Sequence, residues 1–331
     1  MAAFPDHPAL SLVDLRYLRP EQFDYLLSEE GEVWEQRLDW DFRPSADLVR
    51  RFVRMQSLGG YALVAGNTPV GYCYYVCEER KGLLGDLYIA REYSSPALER
   101  SLLEASLRSL WSTPGIHRVE SQLMLMTAAA RTRMPDAARM EAYHRNFMAA
   151  DLAGGGSPAA GLPARSLPRG TELIPWHERD QEQAAHLITR AYRGHVDSHI
   201  NDQYRSISGA RRFLNNVVQY PGCGSFLQAG SFSALDAVDG QVIGLSLASM
   251  IAYDVGHITQ ICVDPEWVGR GLGYELLRRS TAAIRAQGAR RVSLTVTTSN
   301  ADAIRLYSNA GFRTIHEFDA FVWSRPELAG G

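Results

Sequence analysis

The chain has 331 residues, of which 46% are hydrophobic and 21% charged, as expected of a globular protein with room for two domains of ordinary size. Its net charge of −3 excludes the basic footprint of a nucleic-acid-binding protein, and no apolar stretch is long enough for a membrane span. The first residues lack the basic and apolar regions of a secretory signal, and the four cysteines form no Cys-x-x-Cys pair. We therefore expect a cytoplasmic protein with neither a zinc site nor a disulfide framework.

The first half of the chain has the pattern of an α/β unit. It begins with a strand-like run at residues 12–18, followed by a helix-like pattern from Pro20. Residues 89–99, IAREYSSPALE, lead into a helix marked by leucines, and the next strand takes in residues 119–123. The order of strand, turn, helix and strand indicates a folded domain rather than a tail.

A segment rich in glycine, proline and alanine divides the chain near its middle, at residues 151–170. A new strand-then-helix pattern starts directly after it, at residues 171–175. The sequence therefore predicts one domain over residues 1–150, a linker over 151–170 and a second domain over 171–331.

Residues 191–204, early in the second half, are rich in Tyr, His and Asp and do not have the pattern of a plain amphipathic helix. A solvated connection between helices and a substrate-recognition segment are both consistent with this composition. His195 and His199 have the spacing of two metal ligands on a helix, but Gly194 precedes them and no third ligand is in view. We expect no metal site.

Residues 268–273, VGRGLG, are the most informative stretch of the chain. They lie between a strand-like run at 258–263 and a helix-like run from Leu272, for which Gly288 is a plausible stop. A glycine-rich turn that opens a helix directs several N–H groups and the positive end of the helix dipole at one point. This pattern predicts a pyrophosphate site, and hence a nucleotide or coenzyme A enzyme.

Two nucleotide-binding alternatives do not fit this loop. A Rossmann fingerprint requires an acidic residue at the end of the next strand, but residues 291–297 carry Ser and Thr and no carboxylate. A P-loop requires Gly-Lys-Ser/Thr, whereas Gly273 is followed by Tyr274 and Glu275.

The residues after the loop complete a recognisable order of motifs. An alternating strand at 291–297 is followed by Ser299-Asn300 as a helix cap, and Gly311 ends the helix. From residue 256 to 312 the sequence resembles the GNAT superfamily of acyl-CoA-dependent N-acyltransferases, through GHI, VDPEWVGRGLGYELL, VSLTVTTSN and ADAIRLYSNAGF. Some of these motifs are most similar to those of the branch that acetylates protein N-terminal α-amines.

The resemblance implies a fold and a cosubstrate. Each GNAT domain is a mixed, mostly antiparallel sheet flanked by helices, within the α/β (α+β mixed) class, and acetyl-CoA is the cosubstrate. Val268 stands where the family usually has Gln or Arg, so we expect its backbone to make the contact and Arg270 to supply a charge. The implied coenzyme-binding residues are Ile261, Cys262, Val263, Val268, Gly269, Arg270, Gly271, Leu272, Gly273, Tyr274, Asn300 and Ala303.

The resemblance also implies catalytic roles. Tyr307 lies where the family places the tyrosine that protonates the departing thiolate; packing on the helix's core face is its structural alternative. His257 stands at one of two positions where relatives carry a glutamate base, and the other position is Thr295 here. The imidazole can accept the amine proton directly or through water, or serve as a backbone-bonded turn residue. For the acceptor ammonium we expect Asp197 and Asp202, lined by Tyr192 and Tyr204.

The first half resembles a second, degenerate copy of the same unit. Residues 89–99 overlay 263–273 without a gap, with Glu92 and Tyr93 matching Glu266 and Trp267. Ala97 and Glu99 replace two glycines, Pro96 removes an N–H donor, and Glu99 sets a carboxylate where a phosphate belongs. We expect a tandem GNAT protein whose first domain is structural or lines the acceptor site; an unrelated α/β domain is the alternative.

The sequence thus predicts an N-acetyltransferase that uses acetyl-CoA and a primary amine, by direct attack, with its active site in the second domain. The acceptor amine is a small molecule or a protein N-terminus or lysine, and the oligomeric state stays unknown. Two other interpretations are open: a non-catalytic acyl-CoA sensor or scaffold, and a tandem enzyme of the mycothiol synthase type acting on a small-molecule amine.

Overall fold

The computed structural model describes residues 9–154, 157–220 and 222–325. The helices are α1 Asp24–Leu38, α2 Arg43–Arg54, α3 Pro96–Ser112, α4 Ala128–Arg131, α5 Gln181–Ala191, α6 Asp197–Ile200, α7 Ile207–Gln219, α8 Leu272–Ala286 and α9 Ala301–Asn309. The strands are β1 Leu10–Asp14, β2 Gly59–Ala65, β3 Thr68–Glu78, β4 Lys81–Ile89, β5 Arg118–Gln122, β6 Met140–Asp151, β7 Thr171–Pro175, β8 Ser225–Phe226, β9 Phe232–Asp236, β10 Val242–Ala252, β11 Val255–Val263, β12 Arg291–Thr297 and β13 Arg313–Ser324.

The chain forms two compact units, and each contains a strand from the other half of the sequence. The first unit takes the described residues of 1–36, 42–144 and 318–331, and the second takes 37–41 and 145–317. In the first unit the sheet order is β1, β2, β3, β4, β5 and the end of β13. The second has β7, β9, β10, β11, β12 and residues 145–151 of β6, with β8 on β10.

These units cut across the ranges expected from the sequence. Residues 37–41 and 145–150 come from the first half but lie in the second unit, while residues 318–325 come from the second half and lie in the first. The cause is strand pairing: β6 is antiparallel to β12 from Arg145 to Asp151, and β13 is antiparallel to β5 from Ala320 to Ser324. The composition of the 151–170 segment marks a joint in the sequence but carries no information about which strands pair.

The two units have the same pattern of strand pairing and a β-bulge at the same place. In each, one pair of neighbours is parallel, β4 with β5 and β11 with β12, and the other pairs within each sheet are antiparallel. The register between β3 and β4 skips Gly85, and the register between β10 and β11 skips Thr259. These two β-bulges occupy equivalent positions when residues 89 and 263 are overlaid. The resemblance between the halves therefore extends to backbone geometry.

Residues 157–168 are attached to α8 along much of their length. Ala159 is buried, the Arg285 guanidinium donates to the Ala160 carbonyl, and the Tyr274 hydroxyl donates to the Pro163 carbonyl at 2.8 Å. The segment predicted as a linker is thus a strap that follows the helix inside the second unit. Proline and alanine suit this role because they have little conformational entropy to lose.

None of the helices in the described ranges combines the length and apolar character that a bilayer span requires. All four cysteines are free thiols, with Cys73 and Cys262 buried.

A pair of carboxyl groups lies in the core of the first unit. Glu30 on α1 is fully buried and accepts hydrogen bonds from the Tyr72 hydroxyl at 2.7 Å and from the Trp34 indole at 3.3 Å. Asp86 on β4 shares a hydrogen bond with it. Burial raises the pKa of both carboxyls, and the charge of Asp86 raises the pKa of Glu30 further, so the pair retains a proton near neutral pH.

This pair makes the first unit less stable as pH rises. The unfolded chain releases the Glu30 proton near its ordinary pKa of about 4.3, whereas the folded chain keeps it, so the free energy of unfolding falls above that pH. We predict that Glu30→Gln flattens the decline of unfolding temperature between about pH 5 and 8 and raises that temperature at pH 8. Calorimetry across this range measures it, with Glu29→Gln as the control; a Glu30→Gln profile parallel to that of the natural protein contradicts the prediction.

Candidate functional site

The centre of the second unit is an opening between two parallel strands. β11 pairs with β12 only from Val255 to Ile258, although β11 continues to Val263 and β12 to Thr297. The bulge at Thr259 falls where the pairing ends. Beyond it, the backbone edge of Ile261–Val263 that faces β12 has no ladder partner in that strand, so its N–H and C=O groups are available to an extended ligand.

The glycine-rich turn lies at the end of this opening. Gly269 and Gly271 have φ values of +80° and +87°, a region that glycine adopts without strain. Gly271 is the N-cap of α8 and provides no side-chain cap, and the Glu275 N–H makes a bond to its carbonyl at 3.1 Å. The N–H groups of the first turn, Leu272 to Tyr274, have no acceptor within the helix. This geometry suits an anion such as pyrophosphate.

The side chains of the loop have different surroundings. Val268 is 64% exposed, and Arg270 is stacked on the Trp267 ring at 4.9 Å with its charge available to solvent or ligand. The Tyr274 side chain is buried, with its hydroxyl bound to the strap and the Arg165 guanidinium 3.9 Å above its ring. Only the backbone of Tyr274 is therefore directed at an anion on the loop.

Two faces of β11 carry the other predicted strand residues. Ile261 and Val263 pack towards Leu272, and Cys262 packs on the opposite face with Tyr192. Burial raises the pKa of the Cys262 thiol to about 12, so it stays protonated at neutral pH. A neutral thiol is a poor nucleophile, and this disfavours a covalent intermediate on Cys262.

Helix α9 begins beside the end of β12. Asn300 is its N-cap, with the side-chain oxygen accepting from the Ala303 N–H at 3.2 Å. Tyr307, two turns further, is buried, and the burial together with the nearby Asp197 carboxylate and Cys262 thiol raises the pKa of its phenol. Tyr307 therefore remains a proton donor over the physiological range.

The segment predicted for the acceptor contacts β11, the end of β12 and the N-terminus of α9. Tyr192 and Tyr204 are stacked at 4.4 Å, and both hydroxyls bond to Gln260 of β11, at 3.0 and 3.4 Å. Asp197 starts α6 and accepts a hydrogen bond from the Thr297 hydroxyl at the end of β12. The structure thus brings three of the four predicted acceptor residues to the opening.

Asp202, the fourth, begins the short 3₁₀ turn Asp202–Arg205 and is half-buried. Sequence reasoning missed Gln260 and Thr297. The period-two alternation of β11 and β12 placed both on strands, but nothing in the sequence indicated that they bond to residues 192–204.

His257 lies on the paired part of β11. Its ring is between Trp40 and Phe147, with centroid distances of 5.5 and 5.8 Å, and its Nδ1 is 2.9 Å from the Ser293 hydroxyl. Burial, aided by the positive charge of Arg145, lowers the pKa of His257 to about 4. His257 is thus a strand residue whose ring bonds to a side-chain hydroxyl, so the alternative of a backbone-bonded turn residue is wrong, and the role of His257 as a base stays a prediction.

In the first unit, hydrogen bonds between two residues cross the place that corresponds to the opening between β11 and β12. Glu99, which occupies the position of Gly273, is buried at the start of α3 and accepts from both the N–H and the hydroxyl of Thr127 at 3.0 Å. Thr127 is the N-cap of α4, as Asn300 is of α9. A side chain thus spans the place where the second unit has only a glycine. Among the described residues of both units, no group of three His, Cys, Asp or Glu is placed to hold a metal ion.

Comparison with known proteins agrees with this geometry. Residues 197–312 match the model of the acetyltransferase (GNAT) family. Proteins named mycothiol acetyltransferase are 32% identical in Thermobispora bispora and 31% identical in Beutenbergia cavernae, over 46% and 49% of this chain and 49% and 52% of their own lengths. The chain spans about half the length of the curated relatives it matches.

Solved structures resemble the whole chain in fold. A GCN5-related N-acetyltransferase from Sphaerobacter thermophilus has a TM-score of 0.69 and 17% identity over 98% of both chains. A tandem GNAT protein from the clavulanic acid biosynthesis pathway has a TM-score of 0.60 and 15% identity over 96% of this chain and all of its own. These identities support a common fold and say nothing of a common substrate.

The surroundings of His257 predict how the second unit responds to acid. The unfolded chain binds a proton at this imidazole below about pH 6.5, and the folded chain does so only near pH 4. The free energy of unfolding therefore falls as pH drops between these values, by roughly 3 kcal/mol for this group. His257→Asn, which keeps a partner for Ser293 and cannot titrate, should lose this dependence in denaturant titrations at about pH 7 and 4.5. His186→Asn on the exposed face of α5 is the control, and an unchanged acid slope in His257→Asn contradicts the assignment.

Proposed function

We propose that this chain, which carries a GNAT-family acetyltransferase domain, transfers an acetyl group from acetyl-CoA to a primary amine in its second unit. Three features at one opening support this most. They are the edge of Ile261–Val263 that does not pair with β12, the glycine turn at Gly271 with no side-chain cap, and the buried phenol of Tyr307. Each feature alone is common, and together they provide a binding edge, an anion site and a proton donor.

The coenzyme would lie along the opening. Its pantetheine arm would add to the free edge of β11, and its pyrophosphate would accept from the first N–H groups of α8. Asn300 and Ala303, which are joined by the cap bond at the start of α9, would flank the arm. The coenzyme supplies an activated acyl carbonyl, and an N–H group of the β11 edge would polarise the oxygen of that carbonyl.

Transfer would proceed by direct attack. The amine nitrogen bonds to the acyl carbon, the carbon–sulfur bond breaks, and Tyr307 donates its proton to the departing thiolate. Asp197 holds the incoming ammonium beside Tyr307. The ammonium loses one proton before the attack, and the nitrogen loses a second as the amide forms. These protons pass to His257 through water, to Asp197 or to solvent, and one proton returns to the Tyr307 phenolate, so the net release is one proton. A packed imidazole of pKa about 4 is a weak base for this task.

We infer that the acceptor is a small-molecule amine. The relatives named mycothiol acetyltransferase favour this choice, and the side chains of Tyr192, Tyr204 and Gln260 form a hydrogen-bonded cluster suited to a small polar ligand. A cytoplasmic location is part of the proposal, supported by four free thiols. Thiol release from acetyl-CoA, measured with glucosamine, spermidine, cysteine, lysine and an unblocked peptide, tests the activity. Coenzyme binding without turnover on any amine would favour the sensor alternative.

The glycine turn predicts one coenzyme site per chain. Gly273→Glu copies Glu99 of the first unit, and the backbone tolerates a Cβ here because the nearest atoms lie at 3.6 and 3.9 Å. We expect Gly273→Glu to abolish coenzyme A binding in calorimetry, Gly273→Ala to retain it within about threefold, and the uncharged Gly273→Gln to fall between them. Two sites per natural chain, or equal loss in the Gln and Glu variants, would contradict the charge argument.

Tyr307→Phe separates packing from proton donation. The ring stays in its place against Phe312, and only the hydroxyl is lost. We expect kcat to fall by roughly tenfold to a thousandfold with coenzyme affinity nearly unchanged. Tyr253→Phe, at an 89% exposed position of the same unit, is the control. Full turnover in Tyr307→Phe would show that water protonates the thiolate.

A further inference from the structure

The acceptor segment, residues 192–204, is attached to both strands that border the opening. Tyr192 and Tyr204 bond to Gln260 on β11, and Asp197 bonds to Thr297 on β12. The segment therefore spans the gap that the bulge at Thr259 creates. Its position along the gap is fixed by a third contact, from His195.

His195 lies between Asn300 and Asp197. Its Nε2 is 3.1 Å from the side-chain nitrogen of Asn300, and its Nδ1 is 3.1 Å from the backbone nitrogen and 3.9 Å from Oδ2 of Asp197. The ring also meets Tyr192 edge-on at 5.2 Å. A neutral imidazole has one N–H and can therefore accept a hydrogen bond at only one of its two nitrogens.

Charge decides which nitrogen accepts. Since the Asn300 oxygen is used in the helix cap, its amide nitrogen faces His195 and can only donate, so Nε2 must accept. The proton then lies on Nδ1, facing the Asp197 carboxylate. The opposite tautomer would accept from the Asp197 backbone N–H at Nδ1 but would set an N–H against the Asn300 amide, each at 3.1 Å. Each tautomer therefore has one contact between two donors, and the Asp197 carboxylate, 3.9 Å from Nδ1, favours the tautomer with its proton on Nδ1.

We propose that His195 is a positioning residue that fastens the acceptor segment to the N-terminus of α9 and thereby holds Asp197 beside Tyr307. The consequence for catalysis rests on the proposed function, whereas the fastening itself is a property of the fold. His195 acts through Asn300 and Asp197 and has no contact of its own with a reacting atom.

The chain offers a way to separate acceptor from coenzyme effects. Without His195, Asn300 keeps its bond to the Ala303 N–H, and the glycine turn is untouched. The coenzyme site should therefore survive the loss of the imidazole, while the acceptor site loosens.

Three substitutions at one position test this. A Gln side chain can place an acceptor where Nε2 lies, an Asn side chain reaches only the position of Nδ1, and Ala removes both. With acetyl-CoA and the best amine of the panel, His195→Ala and His195→Asn should raise the acceptor KM about tenfold, with kcat within about threefold and coenzyme A affinity within about twofold. His195→Gln should recover most of the loss. Equal behaviour of the Asn and Gln variants, or a KM unchanged in His195→Ala, would overturn the proposal.

A second measurement does not depend on activity. Hydrogen exchange of the free protein should show residues 195–201 opening at least tenfold faster in His195→Ala and His195→Asn than in His195→Gln, with α9 unchanged. Asn300→Ser keeps the cap and removes the amide, so combining it with His195→Ala should add nothing to the exchange rate. If the two substitutions have additive effects on the exchange rate, or if all variants exchange equally, His195 does not fasten the segment through Asn300. If no amine is acetylated, the proposed function is wrong, but the hydrogen-exchange measurement still tests whether His195 fastens the segment.

Discussion

The second unit depends on the parting of two parallel strands. A β-bulge at Thr259 ends the ladder between β11 and β12 after four paired residues, Val255 to Ile258. Unpaired backbone inside a domain is costly unless something takes its place. The segment 192–204, the cap of α9 and the glycine turn of α8 all border the resulting gap, and an extended ligand that pairs with the free edge would satisfy the exposed groups.

The same bulge occurs in the first unit at Gly85, with a different outcome. There, Glu99 crosses from α3 to Thr127 and occupies the equivalent space with protein hydrogen bonds. Among the differences between the two openings, Glu99 is thus the side chain that crosses the gap, at a position where the second unit has Gly273. The carboxylate would repel a phosphate at this place, and its two hydrogen bonds hold the N-cap residue of α4.

Local features of the site followed from the sequence, and long-range ones did not. Strand 291–297, the cap at Asn300 and the glycine turn before Leu272 were predicted because periodicity, capping residues and positive-φ glycines act within a few positions. The GNAT fold and the tandem arrangement were confirmed. The exchange of β6 and β13 between units could not be predicted, because both strands have ordinary patterns and pairing is decided by tertiary contacts. Gln260 and Thr297 were missed for the same reason, since the partners that give them a role lie about sixty to a hundred residues away in the chain.

Residues 37–41 make the second unit depend on the first half of the sequence. Trp40 packs on His257, Asp39 forms an ion pair with Arg291, and the Asp41 N–H donates to the Ile251 carbonyl at 2.9 Å. These five residues from the first half belong to the second unit, and two of them, Leu38 and Trp40, are buried. Residues 145–151 also belong to the second unit, as its strand next to β12. The second half of the sequence alone therefore does not contain the whole of the second unit. Deleting the first half would therefore remove a strand and a buried tryptophan from the second unit, so the second unit needs the first half of the sequence whatever the first unit binds.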